Sequence, residues 1–170
     1  MAAGARVVGI SVDSPAQHAA MVEKLRLPFP LLSDPDRSKA IIPWGLADPH
    51  DRRMIAIPAI VGVGPDGGET FRFTGRDFAD RPTEDWVVDA LKGMDLSPTT
   101  QDRPELGAIA PGPHAMPAEQ LFPYFRGARF AAVALSRRHP EIFEDASAYI
   151  AEMDRYMESA KRLHKERSGE

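Results

Sequence analysis

The chain of 170 residues is long enough for one ordinary domain, or for a small domain with an appendage. Its composition, 43% hydrophobic and 27% charged, is typical of a soluble globular protein, and the formal net charge of -4 argues against a nucleic-acid binder, which needs clustered Lys and Arg. The sequence has no apolar stretch of about 18 residues and no signal-peptide pattern at its N-terminus, so we expect no membrane span and a cytoplasmic location.

The sequence contains no cysteine. This excludes disulfides, thiolate nucleophiles and cysteine-ligated metal centres from this chain. Any covalent catalysis would have to use a serine, lysine, aspartate, histidine or tyrosine.

Residues 6–25 predict a strand followed by a helix. The β-branched run over residues 6–13 is typical of a buried parallel strand. Ser14 is a good N-cap, Pro15 suits the first helical position, and Gln17 completes a capping box. The helix is expected to stop before Pro28.

The next part of the chain mixes extended segments, a short helix and a hairpin. Prolines keep residues 27–33 extended, and a second helix is predicted from Ser33 to about Ile42, with Asp34 and Asp36 serving its dipole and its free N–H groups. Two strands over residues 57–63 and 69–75, joined by a glycine-rich turn, predict a β-hairpin. A charged loop and a helix that carries Trp86 follow.

The C-terminal part differs in composition. Residues 94–117 contain five prolines and predict a linker. Helices are predicted over residues 118–138 and 141–165, and the apolar stripe of the second helix must dock on something, for which a helical hairpin is the first choice. A homodimer contact is the second choice, and the candidate interface residues are Phe122, Tyr124, Phe125, Tyr149, Met153 and Tyr156.

No catalytic, cofactor or metal site is predicted from local patterns. The five histidines lie in separate segments without ligand spacing, and His50 reads as part of a solvated acidic loop. The glycine-rich turn at residues 64–68 joins two strands, whereas a phosphate loop must open a helix. Ser11 and Ser14 have no histidine or lysine expected nearby to act as a base.

Three sequence motifs in the first half resemble peroxiredoxins of the alkyl hydroperoxide reductase/thiol-specific antioxidant family, and their order and spacing resemble those of that family. They are VVGISVDSP at residues 7–15, LPFPLLSDP at residues 27–35 and PDG at residues 65–67. The resemblance covers about residues 6–93. It implies a thioredoxin-like α/β fold and, for the family, thiol-dependent reduction of peroxides, an antioxidant oxidoreductase activity.

The family's nucleophile is a low-pKa cysteine at the start of a helix that follows a central strand. By the resemblance this unit would precede residue 6, so the fold expected is a peroxiredoxin-type sheet that lacks its N-terminal strand and cysteine helix. The expected organisation is a partial thioredoxin-like domain over residues 1–93, a linker over 94–117 and a helical extension over 118–170. Whether Met1 is the natural start stays open.

The resemblance also bears on two residues near the former active site. Pro58 takes the place of an arginine that often stands at the entry to that strand, and a cis peptide bond, as in thioredoxins, is expected there. Arg76 is a candidate neighbour of the former peroxide pocket, although a solvated turn with a surface ion pair is the plainer interpretation.

Without the central strand, the strands at residues 6–12 and 58–63 must pair with each other, pair with another chain, or leave an edge open. We therefore expect a homo-oligomer or a partner that completes the sheet, and neither a nucleic acid nor a membrane. Two functional hypotheses remain. The chain is a redoxin-family protein that is inactive alone, or it is a non-catalytic thioredoxin-fold module for binding or oligomerisation.

Overall fold

The computed structural model describes residues 4–169. They divide into two compact units at the junction between Gly112 and Pro113. The first unit combines helices with two small sheets, in the order β1 (Gly9–Ser11), α1 (Pro15–Leu25), β2 (Leu31–Ser33), β3 (Ala59–Val63), β4 (Glu69–Thr74) and α2 (Glu84–Lys92). The second unit consists of α3 (Leu121–Arg138) and α4 (Phe143–Ser168), each entered through a short 3-10 turn.

The predicted strand and capped helix at the start of the chain are confirmed. The Gln17 amide donates to Ser14 Oγ at 3.3 Å, and the Ser14 amide donates to Gln17 Oε1 at 2.8 Å, which is a complete capping box. The helix ends at Arg26, which adopts a left-handed conformation before the predicted stop at Pro28. Strand β2 then returns parallel to β1.

The short helix predicted from Ser33 to Ile42 is wrong, because a buried carboxylate replaces it. Asp34 follows β2 and accepts hydrogen bonds from the backbone amides of Lys39, Ala40 and Ile41 at 3.1, 2.9 and 2.9 Å. Burial by itself would raise the pKa of Asp34. The hydrogen bonds from these amides lower that pKa by a larger amount, so the net shift is downward. The carboxylate does serve free N–H groups, as predicted, but it organises a series of turns instead of a helix.

The predicted hairpin is confirmed as the antiparallel pair β3 and β4. The described residues form two separate two-stranded sheets, β1 with β2 and β3 with β4. Strands β1 and β3 therefore do not pair with each other. The first unit is thus a mixed helix and small-sheet structure.

The proline-rich segment after α2 packs against the first unit as far as Gly112. The side-chain amide of Gln101 accepts from the Val7 amide at 2.8 Å and donates to the Val7 carbonyl at 2.6 Å, in the manner of a strand backbone. Further along, the Ala110 amide donates to the Ala16 carbonyl at 3.1 Å. These contacts hold the segment beside β1 and the start of α1.

In the second unit, α3 and α4 pack against each other as a hairpin. Met153 of α4 is completely buried, and Ala132 of α3 and Ala146 of α4 are buried as well. Arg129 and Asp154 join the two helices at 2.7 Å. No helix formed by residues 4–169 is both long enough and apolar enough to cross a membrane.

Candidate functional site

A buried polar cluster of the first unit surrounds His18, which is 5% exposed. Ser11 ends β1, Ser33 ends β2, and His18 lies in the helix that packs over both strands. The His18 Nε2 atom is 2.8 Å from Ser11 Oγ, and its Nδ1 atom is 3.2 Å from Ser33 Oγ. The imidazole therefore ties α1 to both strands of the parallel pair.

This geometry corrects the expectation that Ser11 has no base nearby. The sequence signal was a serine at a strand end and a histidine seven positions later in a capped helix, which places both at the same edge of the sheet. Chemical activation does not follow, because the Ser11 hydroxyl donates to Asp13 Oδ2 at 2.7 Å and accepts from the Asp13 amide at 3.1 Å. With His18 Nε2–H donating as well, the capacity of Ser11 is filled, and its proton points to a carboxylate.

The protonation state of His18 follows from its surroundings. Burial lowers the pKa of His18 below its ordinary value, and the Asp13 carboxylate, 4.0 Å from Nε2, opposes this only in part. The neutral ring that results accepts from the Ser33 hydroxyl and donates to Ser11. His18, Ser11 and Ser33 therefore form a structural clasp, by which we mean the hydrogen bonds that hold α1 against β1 and β2.

A cavity of about 460 Å³ lies against the same helix. Its walls are mostly apolar and include Val22, Leu31 and residues 104–108, with His18 at one side. The size is in the range of small-molecule sites. Both nitrogens of His18 are already bonded, however, so the histidine offers a ligand only its ring surface.

The two residues predicted to neighbour a former active site, Pro58 and Arg76, lie at the same end of the hairpin. The Gly75 amide donates to the Pro58 carbonyl at 2.7 Å, directly before Arg76. No described peptide bond is cis, so the cis bond expected at Pro58 is wrong. A proline at the entry to a strand has no ladder hydrogen bond to lose and needs no cis geometry.

Arg76 is bound within its own loop. Its backbone amide and its Nε atom both donate to Asp80 Oδ2, at 2.9 and 3.0 Å. These hydrogen bonds, the backbone one first, lower the pKa of Asp80. The role of Arg76 as a neighbour of the former peroxide pocket stays a prediction.

The acidic loop around His50 is organised by its own hydrogen bonds. The His50 amide donates to Asp48 Oδ1 at 2.8 Å, while Asp51 binds Arg53 at 2.6 Å. The hydrogen bonds from Arg53 lower the pKa of Asp51 to about 2. Within residues 4–169, no three histidine or acidic side chains are grouped so as to hold a metal ion.

Most of the candidate interface residues of the C-terminal part pack inside the hairpin of α3 and α4. The Phe125 ring lies 5.0 Å from the Tyr156 ring, Lys161 lies over the Phe122 ring at 5.4 Å, and Met153 is fully buried. Tyr124 differs, since it is 49% exposed. An interface role for this set stays a prediction.

Comparison with known proteins identifies the first part of the chain. Residues 1–68 match the AhpC/TSA family. Over 44 residues, 26% of this chain, it is 54% identical to a chloroplastic peroxiredoxin Q of Populus jackii, 52% to that of Triticum aestivum and 50% to that of Gentiana triflora. The chain spans about a fifth of the length of these curated relatives, since the matches cover 20% of each. No solved structure matches.

The mixed α/β first unit and its sequence matches thus define a redoxin-like protein. More particularly, residues 1–68 are similar to the AhpC/TSA family, and the chain is similar to peroxiredoxins, while its sequence contains no cysteine.

Proposed function

We propose that this chain is a redoxin-family protein of thioredoxin type that carries out no thiol peroxidase turnover by itself. One observation supports this above all, namely a peroxiredoxin-like sequence without any cysteine. Cleavage of the peroxide O–O bond by these enzymes requires a thiolate that attacks one oxygen and is itself oxidised. The serine and histidine of the His18 cluster cannot replace it, because a hydroxyl is not oxidised in that way.

A peroxide-consumption assay tests this proposal. We expect the purified chain, supplied with hydrogen peroxide and either dithiothreitol or thioredoxin with its reductase, to consume peroxide no faster than buffer. A cysteine-containing peroxiredoxin is the positive control. Protein-dependent consumption that survives metal chelation and disappears on denaturation would contradict the proposal.

A second candidate function is a binding module that accepts an extended strand, and one edge of β1, which pairs with no strand among residues 4–169, favours it. The Gly9 amide donates to the Pro30 carbonyl at 3.0 Å, and the Asp34 amide donates to the Ser11 carbonyl at 2.8 Å. The backbone groups of Gly9 and Ser11 therefore face β2. Because successive residues of a strand alternate, those of Val8 and Ile10 point away from it.

Strand β3 also has an edge that pairs with no strand in the described part of the chain. The Pro58 carbonyl bonds to Gly75, so residues 58, 60 and 62 direct their backbone groups towards β4. The N–H and C=O groups of Ala59 and Val61 consequently point to the other side. Unpaired edges of this type are templates for pairing with another chain.

The apolar face of the β1–β2 sheet supports the same function. Helix α1 covers the face that carries Ser11 and Ser33, and the register places Ile10 opposite Leu32 on the other face. Ile10 is 43% exposed and Leu32 is 48% exposed. A second copy of the chain or a partner with an extended, β-branched segment would cover these side chains while completing the sheet.

Substitution of Val61 separates edge pairing from folding. In Val61→Pro the lost N–H is one that β4 does not use, so we expect the hairpin to persist and strand acceptance to fail. Val61→Thr is the matched control, since it keeps the N–H group and a β-branched side chain. The readout is backbone amide exchange of residues 8, 10 and 59, whose amides every variant retains, with and without an extended Val/Ile-rich peptide. Unchanged exchange in the native chain would refute strand acceptance, and equal protection of residue 59 in Val61→Pro would refute it at β3.

A further inference from the structure

The side of α3 that faces away from α4 is apolar and exposed. Phe125 and Arg129 contact α4, whereas Tyr124, Phe130 and Leu135 are 49%, 54% and 46% exposed. At 100° per residue these three lie on the half of the helix opposite the contact with α4. We call the surface formed by Tyr124, Gly127, Phe130, Ala131 and Leu135 the outer face of α3. Clustered exposed apolar side chains of this kind mark interaction sites.

The outer face has a basic border. The sequence of α3 contains four arginines and no aspartate or glutamate. Arg129 is paired with Asp154, but Arg126, Arg137 and Arg138 are exposed and form no ion pair with any carboxylate among residues 4–169. The guanidinium of Arg126 lies over the Phe130 ring at 5.4 Å. A partner that covers this surface therefore meets positive charge at its edges.

The shape of the outer face suits a helix. Gly127 and Ala131 lie one turn apart, and a Cβ added to Gly127 would meet nothing within 4 Å. Small residues between Tyr124, Phe130 and Leu135 leave a shallow groove, which allows helix axes to approach to about 8 Å. A flat lipid surface would not make use of this groove.

We propose that the outer face of α3 binds an acidic amphipathic helix of another protein. Apolar side chains of that helix pack against Tyr124, Phe130 and Leu135, and its carboxylates pair with the three unpaired arginines of α3. A second copy of this face fits less well, because two-fold pairing sets arginine against arginine. This site lies in the second unit and is independent of the function proposed for the first.

The test uses the full chain and two labelled helical peptides, one with leucine on one face and glutamate on the other, and a twin with lysine in place of glutamate. Fluorescence anisotropy should show that the glutamate peptide binds at least about tenfold tighter than its twin, with an affinity that falls as salt rises. Gly127→Leu raises helix propensity but fills the groove, so it should fold and weaken binding by about tenfold or more. The double variant Arg137→Glu, Arg138→Glu should do the same.

Lys165→Glu is the matched control, because Lys165 is an exposed cation of α4 and does not belong to the outer face of α3. This variant should bind the glutamate peptide with the same affinity as the native chain. Circular dichroism verifies that each variant is folded. Equal affinity for the two peptides, or full affinity in Gly127→Leu, would overturn the proposal. A dimer of the native chain in sedimentation velocity that is absent in Gly127→Leu would also overturn the proposal. Binding of the native chain to phosphatidylserine vesicles, without binding to the glutamate peptide, would do so as well.

Discussion

Replacement of His18 by alanine probes the clasp that joins α1 to the parallel strands. The substitution removes the hydrogen bonds of Nε2 to Ser11 and of Nδ1 to Ser33. It also removes a ring that is 5% exposed and lies beside an existing cavity. The space left by the imidazole ring becomes part of that cavity. We therefore expect little relaxation of the surrounding side chains into this space.

The magnitude follows from these contacts. Two neutral hydrogen bonds contribute about 0.5–1.5 kcal/mol each. Burial of most of an imidazole ring adds about 1–2 kcal/mol of packing, at the low end of large-to-small core substitutions. We therefore expect His18→Ala to lower the free energy of unfolding of the first unit by about 3 kcal/mol.

Urea denaturation followed by tryptophan fluorescence measures this change, because Trp44 and Trp86 both belong to the first unit. For a small unit the loss corresponds to a fall of about 1–2 M in the urea midpoint. His50→Ala is the matched control, since His50 is exposed and, among residues 4–169, its backbone amide and not its side chain is hydrogen-bonded to Asp48. A loss in His18→Ala below about 0.5 kcal/mol, or one equal to the control, would refute the clasp.

Four further predictions concern both units. The lowered pKa of His18 means that protons bind more readily to the unfolded chain, so the first unit should lose stability as pH falls below about 6.5, and urea midpoints of His18→Gln should lack this part of the pH dependence. Met153→Ala should destabilise the helical unit by about 2–5 kcal/mol, measured by far-ultraviolet circular dichroism, because Met153 is fully buried. Gly75→Ala should destabilise the hairpin, because its Cβ would overlap a backbone carbonyl of the next loop, whereas Gly107→Ala, which meets nothing, should leave the urea midpoint unchanged. Ser14→Ala should cost about 1 kcal/mol in the same assay through loss of the capping box.

Local chemistry determines much of the first unit without any contribution from tertiary contacts. Ser14, Pro15 and Gln17 specified the start of α1, and alternating apolar residues around a glycine-rich turn specified the hairpin. The same local logic failed at Asp34. An acidic residue before a possible helix predicts a cap, but the tertiary structure buries that carboxylate under a turn whose three amides it binds.

The absence of cysteine and the peroxiredoxin-like phrases were visible in the sequence alone, because they depend on residue identity and order. Only the tertiary structure decided that His18 bonds Ser11 and Ser33, since these residues meet through the packing of a helix over two strand ends. It also decided that β1 and β3 stay in separate sheets and that Tyr124, Phe130 and Leu135 of α3 are exposed. Such long-range contacts depend on which surfaces find partners, and the pattern of a single segment does not contain that information.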